Sequence, residues 1–373
     1  MTNTIFFTFT CVFPYIKTML TLLVNKARFL DNIKNIKQHT NAKICAVVKA
    51  DAYGHGAVEL SKCAQMLVSE FAVAELREAA ELREAGITKN ILLLSPLLEK
   101  PKQVLDNVIP TVCDVKDLVL LKKSGYKKVN LAVNTGMNRL GVRPNEVARV
   151  LSFLENNDLK LHSVYSHLYN APDEKSAEEQ LKTFKNCTKD IPLHIYRHIA
   201  ASSCLWLNKE FYLNGVRPGI ALYGYDKPTK TIDKQKKGLV QSIMEVSVPV
   251  IKVLRVKKGE SLSYGEYKAP RNMTVALLAA GYADGIRRKE NPFLENRLVS
   301  VRGVLCPIVG QVCMDITLVD VSKVNNVRVG DSIYLLGQGV DGEEIASACG
   351  TNIYEILTGL KGRIKRQYLG NAD

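Results

Sequence analysis

An α/β chain, with an N-terminal (β/α)8 TIM barrel followed by an all-β domain, is what this sequence predicts. Three observations carry that reading. Short apolar runs alternate with amphipathic stretches from about Met19, the texture turns to β-rich runs with glycine turns from about Met244, and a lysine-rich polar segment, Lys227 to Lys237, separates the two.

Lys43-Ile44-Cys45-Ala46-Val47-Val48 is apolar and β-branched, the pattern of a strand buried on both faces in a parallel sheet. Further strands are expected at Glu70 to Ala74, Ile91 to Leu94, Val108 to Val112, Val129 to Val133, Leu159 to Ser166, Leu193 to Ile199 and Leu213 to Arg217. Between them the spacing predicts helices over Ala57 to Val68, Leu76 to Ala85, Val115 to Lys123, Glu146 to Asn156 and Ser176 to Cys187. Eight strands in about 200 residues is the arithmetic of a closed barrel. Fewer would leave a doubly wound sheet, so the fourth and eighth strands, the weakest, decide between the two.

In the second region Val246 to Val256 alternates, Gly259 turns and Thr274 to Ala280 is apolar. Arg297 to Val304, Pro307 to Val312, Ile316 to Val321 and Ser332 to Leu336 then read as strands before a mixed tail, Glu344 to Tyr368. The expected domains are residues 19–243, the barrel, and 244–373, the β domain. Residues 1–18 form an apolar extension without the basic flank of a signal peptide and too short to span a bilayer, so translation is expected to begin at Met19.

The 373 residues are 46% hydrophobic, enough for a full core in more than one domain. The net charge of +14 is dispersed among acidic residues, as in Glu75-Leu76-Arg77-Glu78, so neither nucleic acid nor membrane is an expected partner. Nine cysteines at irregular spacing, with no Cys-x-x-Cys pair, argue against a disulfide framework and against a zinc site. A cytoplasmic protein without a metal is expected.

Chemistry concentrates where a barrel would place it, just after the strands. Lys49 ends the first strand and opens into Ala50-Asp51-Ala52-Tyr53-Gly54-His55-Gly56. A lysine there either snorkels to solvent or is partly buried, which lowers its pKa and frees its amine for Schiff-base chemistry. Asn134-Thr135-Gly136-Met137-Asn138-Arg139-Leu140-Gly141 follows the fifth strand, His167 ends the sixth, Ser202 and Ser203 follow the seventh, and Arg217-Pro218-Gly219-Ile220 follows the eighth. The last two loops of this fold commonly converge backbone amides on a phosphate. Alone, His167 reads as a satisfied rim histidine, Arg217 as a salt-bridging arginine, Ser202 as a helix cap and Gly219 as a turn. Together, a phosphate loop, an imine-forming lysine, a histidine to lie against a flat ring and an arginine near that ring describe a pyridoxal phosphate pocket.

Six motifs then occur in order: Val47 to Gly56, Thr135 to Gly141, Val216-Arg217-Pro218-Gly219-Ile220-Ala221-Leu222-Tyr223-Gly224, Leu262-Ser263-Tyr264-Gly265, Gly281-Tyr282-Ala283-Asp284-Gly285 and Val312-Cys313-Met314-Asp315. Through them the chain, from about Met19 to its end, resembles the alanine racemase family. The resemblance implies a pyridoxal 5'-phosphate enzyme that racemises alanine with two bases, Lys49 and Tyr264, and supplies D-alanine for peptidoglycan. A proton leaves Cα on one face and returns on the other, so two transfer groups must flank the ring. A tyrosine, ordinarily titrating near ~10, needs a cationic setting for that task.

The resemblance further implies that Arg217 faces the pyridine nitrogen, that His167 packs by the ring, and that Tyr53, Ser202, the Gly219 and Ile220 amides and Tyr354 hold the phosphate. Arg139 and the Met314 amide would take the substrate carboxylate. Tyr264 and Met314 would enter from the second subunit of a homodimer. Three positions depart from the family pattern. Ala132 stands where many relatives carry a lysine seven residues before the arginine, Asn134 where an aspartate is common, and Ala201 where an asparagine often precedes the serine. The Tyr169-Asn170-Ala171-Pro172-Asp173 rim also departs from the usual loop. Competing readings are a racemase of the same family for serine, lysine or another amino acid, a barrel-type decarboxylase, a non-catalytic cofactor carrier, and a nucleic-acid binder suggested by charge alone.

Overall fold

The computed structural model describes residues 20–225, 239–288 and 297–370. Residues 1–18 and the segment Lys227 to Lys237 therefore lie outside the described residues. Two compact units divide the chain: one contains Leu23–Met244 and Ile353–Thr358, the other Glu245–Asn352 and Gly359–Lys365. Residues 366–370 group with the first.

After β1 (Thr21–Asn25) and the helix Lys26–Thr40, nine parallel strands make a nearly closed barrel. They are β2 (Lys43–Val47), β3 (Glu70–Val73), β4 (Asn90–Leu93), β5 (Val108–Ile109), β6 (Thr111–Val112), β7 (Lys128–Ala132), β8 (Lys160–Tyr165), β9 (Tyr196–His198) and β10 (Gly215–Val216). The count of nine conceals eight staves. Pro110, with no N–H to give the ladder, splits one expected strand into β5, paired with β4, and β6, paired with β7. Its carbonyl still accepts from the Asn130 amide at 2.9 Å. β10 is only two residues long, yet it pairs with both β9 and β2, and so closes the ring.

Helices follow most strands, at Ala57–Ala64, Leu76–Glu84, Asp117–Ser124, Val147–Asn156 and Glu174–Cys187. No helix fills the stretch between β4 and β5, and among the described residues only 3-10 turns follow β9 and β10. The helix Lys26–Thr40, which the alternating pattern did not single out, packs beside that last gap: the Asn32 amide donates to Leu222 O at 3.0 Å and Gln241 O at 2.9 Å. Its N-cap is Asn25, whose side chain accepts from Arg28 N. Inside the barrel, Ser163 donates to Asn130, which donates to Thr111, so these three buried side chains satisfy one another.

The second unit is antiparallel. β11 (Met244–Val256) bends at two register shifts, which let it pair first with β16 (Ser332–Leu336) and then with β12 (Met273–Leu278). β12 also pairs with β15 (Thr317–Asp320). The run expected as one strand, Arg297 to Val304, is instead a hairpin: β13 (Leu298–Val301) turns at Arg302 and Gly303, with φ of 51° and 82°, into β14 (Val304–Pro307). Both φ values are positive, the requirement of a two-residue hairpin turn that twists with its strands. The strand expected over Pro307 to Val312 accordingly ends at its first residue, leaving one bridge from Ile308 to Val319. The tail forms the helices Gly342–Ala348 and Ile353–Gly359. Among the described residues, no helix is long and apolar enough to cross a membrane.

Candidate active site

A cavity of about 550 Å³ opens at the C-terminal ends of the barrel strands. Lys49, Tyr53, Arg139, His167, Ser202, Arg217, Gly219, Ile220 and Tyr354 all line it. Tyr264 and Met314 do not; they stand on the other unit, 66% and 53% exposed.

Lys49 sits where β2 stops and the chain reverses its hand. Ala50, Asp51, Ala52 and Tyr53 have φ between 52° and 54°, one turn of left-handed helix. For L-residues that conformation costs roughly 1–2 kcal/mol each. Specific bonds hold it: Glu78 accepts from the Ala50 amide at 2.5 Å, Asp51 accepts from the Ala57 amide at 2.8 Å, and Gly54 N donates to Ala50 O at 3.0 Å. Arg366 pairs with Asp51 at 2.7 Å and donates to Gly54 O at 3.0 Å. The turn thereby delivers a half-buried lysine to the cavity. Burial first, and then the cations of Arg139 and Arg217, lower its pKa, with Glu78 acting against them.

Arg217 is buried at the end of β10 and its guanidinium is fixed on three sides. Nη1 donates to His198 Nδ1 at 2.6 Å, Nη2 donates to Ser166 O at 2.9 Å and to His167 Nδ1 at 3.2 Å, and the group lies 4.5 Å over the Tyr165 ring. Both histidine nitrogens must accept, so both rings are neutral. Burial, then the arginine charge, pushes His167 down to about 3 and His198 well below the usual histidine range.

Ser202 is buried, and its Oγ accepts from the Gly219 amide at 2.9 Å and from the Ala221 amide at 3.1 Å. With both lone pairs engaged, its hydroxyl proton is left to donate. Tyr53 is held beside this turn: a Cβ on Gly219 would come within 2.5 Å of its hydroxyl. Burial raises the Tyr53 pKa, so the group stays a neutral donor. Tyr354 meets the Tyr53 ring at 5.9 Å between centroids.

Arg139 is exposed on the loop after β7, and among the described residues no hydrogen bond or ion pair holds its guanidinium. Ala132 beneath it packs with Cys113, Tyr165 and Leu94, an apolar set. Asn134 caps the loop, accepting from Gly136 N and Asn138 N at 3.1 and 3.0 Å. Three residues outside the expected site join it: Glu78, His198 and Gln180. A glutamine on the apolar stripe Ala177, Leu181, Phe184 was a signal open to a reader of the sequence. Glu78 and His198 gave none, since their roles arise from barrel closure.

Tyr264 occupies the tip of a hairpin whose sides are buried Leu262 and Tyr267, bridged by the Leu262 amide to Tyr267 O at 3.1 Å. Ser263, at φ 64°, donates through Oγ to Gln311 O at 2.5 Å and touches Cys313 Sγ at 3.2 Å. The tyrosine loop and the Met314 loop are thus tied together.

Residues 24–227 match the family described as alanine racemase, N-terminal domain, and residues 243–368 match alanine racemase, C-terminal domain. An alanine racemase of Clostridium novyi is 33% identical over 379 residues, covering 94% of this chain and 95% of that protein. One from Methanococcus maripaludis is 34% identical, covering 91% and 95%. Among solved structures, the biosynthetic alanine racemase of Pseudomonas aeruginosa superposes with a TM-score of 0.84 at 30% identity, covering 94% and 99%. That of Bartonella henselae, with covalently bound pyridoxal phosphate, gives 0.82 at 27% identity, covering 94% and 99%.

Proposed function

The chain belongs to the alanine racemase family and is an amino-acid racemase, and on that premise we propose that it interconverts L- and D-alanine with pyridoxal 5'-phosphate, supplying D-alanine for peptidoglycan. One observation carries the cofactor reading: a single cavity gathers the half-buried Lys49, the fixed Arg217 and the donors of Tyr53, Ser202 and Ile220, with Gly219 beside them. The fit is chemical as well as spatial. Ser202 has only its proton left to give, Tyr53 is a neutral donor, and the Ile220 amide opens a 3-10 turn, which together suit a dianion, while the Gly219 amide is engaged by Ser202 Oγ and orients that hydroxyl. Tyr354 and the His167 ring would complete its enclosure.

When bound through Lys49, pyridoxal phosphate supplies an electron sink that acidifies the substrate Cα–H. In the proposal Arg217, locked by His198 and Ser166, keeps a permanent positive charge by the pyridine nitrogen and so limits that sink. Lys49, its pKa lowered, exchanges its proton on one face of Cα. Tyr264 serves the other face, contributed by a second copy of the chain in a homodimer. Its exposure at a hairpin tip supports this, as does the tie between its loop and that of Met314, whose amide would meet the carboxylate beside Arg139. The eight free cysteines among the described residues support a cytoplasmic setting.

The test is racemisation of L-alanine by the pure protein with added pyridoxal phosphate, followed by optical rotation, with L-serine and L-lysine in parallel. Turnover of alanine, a visible imine absorbance bleached by borohydride, and loss of both in Lys49→Ala are expected. Faster turnover of serine or lysine would overturn the substrate, and release of CO2 the reaction class.

A further inference from the structure

With Ala132 apolar and the Arg139 guanidinium unheld, the direction of Arg139 has to come from the loop that carries it. The base of that loop is closed: Asn134 N donates to Val142 O and Val142 N to Ala132 O, both at 2.9 Å. Gly141 makes this closure possible, since at φ 112° any Cβ would meet Asn134 N at 2.7 Å. The tip is tied to the barrel through Thr135. Its Oγ1 lies 2.7 Å from Ser166 Oγ and accepts from Gln180 Nε2 at 3.0 Å.

Gln180 is 3% exposed on the helix Glu174–Cys187, and both protons and the oxygen of its amide are engaged. Nε2 also donates to His167 O at 3.2 Å, and Oε1 accepts from Tyr169 N at 3.1 Å. Donor bookkeeping orients the chain. Ser166 Oγ spends its proton on Val133 O at 2.8 Å, so the Thr135 proton goes to Ser166 and Thr135 must accept from Gln180. One buried amide therefore couples the Arg139 loop, the backbone of His167 and the start of the divergent rim at Tyr169.

We propose that Gln180 is a positioning residue for the substrate carboxylate: by holding Thr135 and the His167 carbonyl it fixes the loop that aims Arg139. The inference rests on the reading of Arg139 as the carboxylate's partner. Gln180→Glu removes both donors and leaves an acceptor-only group facing a carbonyl, which turns the Thr135 proton away from Ser166. Thr135→Val deletes the link from the other side, and Thr135→Ser keeps it.

Acetate binding to the pyridoxal phosphate-loaded enzyme, measured by calorimetry, reads the carboxylate site without turnover. Gln180→Glu and Thr135→Val are each expected to weaken acetate and to raise the KM for L-alanine about tenfold. With them kcat stays within about threefold and the cofactor absorbance does not move, while Thr135→Ser restores the affinity. Should Gln180→Glu fail to fold, Thr135→Val carries the test. Wild-type acetate affinity in the available variants, with loss in Arg139→Ala, overturns the proposal alone, as does a fall in kcat at unchanged KM. Wild-type affinity in Arg139→Ala overturns the Arg139 reading and the proposal with it.

Discussion

The barrel cavity and the tyrosine hairpin are held by different means. In the cavity, Arg217 has three partners and both neighbouring histidines are forced neutral, so charge is set by burial within one unit. At the hairpin, packing stops at Leu262 and Tyr267, and Tyr264 between them stands in solvent. Groups whose charge must stay constant are built into the core here. The group proposed to give and take a proton on the second face is left for whatever covers it to tune. All six histidines, from His39 to His198, lie in the barrel unit.

The largest effect expected along this contrast is at Lys49. Lys49→Ala should lower racemisation by at least ~1000-fold, read by optical rotation, because among the described residues no other lysine lines the cavity. Tyr264→Phe follows, with a loss on the order of 100-fold or more and a deuterium isotope effect enlarged for one alanine enantiomer over the other. Mixing the two inactive variants sharpens the comparison. Partial recovery of activity is expected if cavity and hairpin come from different copies, and no recovery would mean that each chain builds its own site.

Acid should separate the two units next. Burial holds His167 at about 3, His55 at about 4 and His198 well below the usual histidine range, against an unfolded value near ~6.5. Below ~6.5 the unfolded chain takes up protons that the folded barrel refuses, so stability is whole above that pH and is lost as pH falls towards 4 and 3. Each group contributes up to roughly 1.4 kcal/mol per pH unit. The single tryptophan, Trp206, is buried in the barrel, so the urea midpoint of its fluorescence should fall between pH 7 and 5. An unchanged midpoint would contradict the neutral assignment. The smallest effect is at Ser263→Ala, which keeps the left-handed φ but loses the bond to Gln311 O, for about 1 kcal/mol by urea unfolding.

Most of the barrel was legible because apolar periodicity encodes burial, and even the two weak strands were weak for visible reasons: Pro110 in one and a two-residue pairing in the other. The Arg302-Gly303 turn escaped because the residues either side are mostly apolar, and only pairing reveals a reversal there. At the site, Lys49, Tyr53, Arg139, His167, Ser202, Arg217, Gly219 and Ile220 line one cavity. His198 and Glu78 escaped because the partners that give them their roles lie in other segments, while the apolar stripe around Gln180 marks it as buried but not which loop it holds.

The left-handed turn after Lys49 has a consequence for how this protein is made. Beside the nearby bonds of Glu78 and Asp51, its distant clamps are Arg366, which reaches Gly54 across 312 residues of chain, and Tyr368, whose hydroxyl fills the place a Cβ on Gly56 would need. The strained turn is synthesised early and braced late. A nascent chain released from the ribosome can hold a formed barrel strand and still lack a seated lysine, so maturation of the site waits on a long-range closure, the slow kind of folding event.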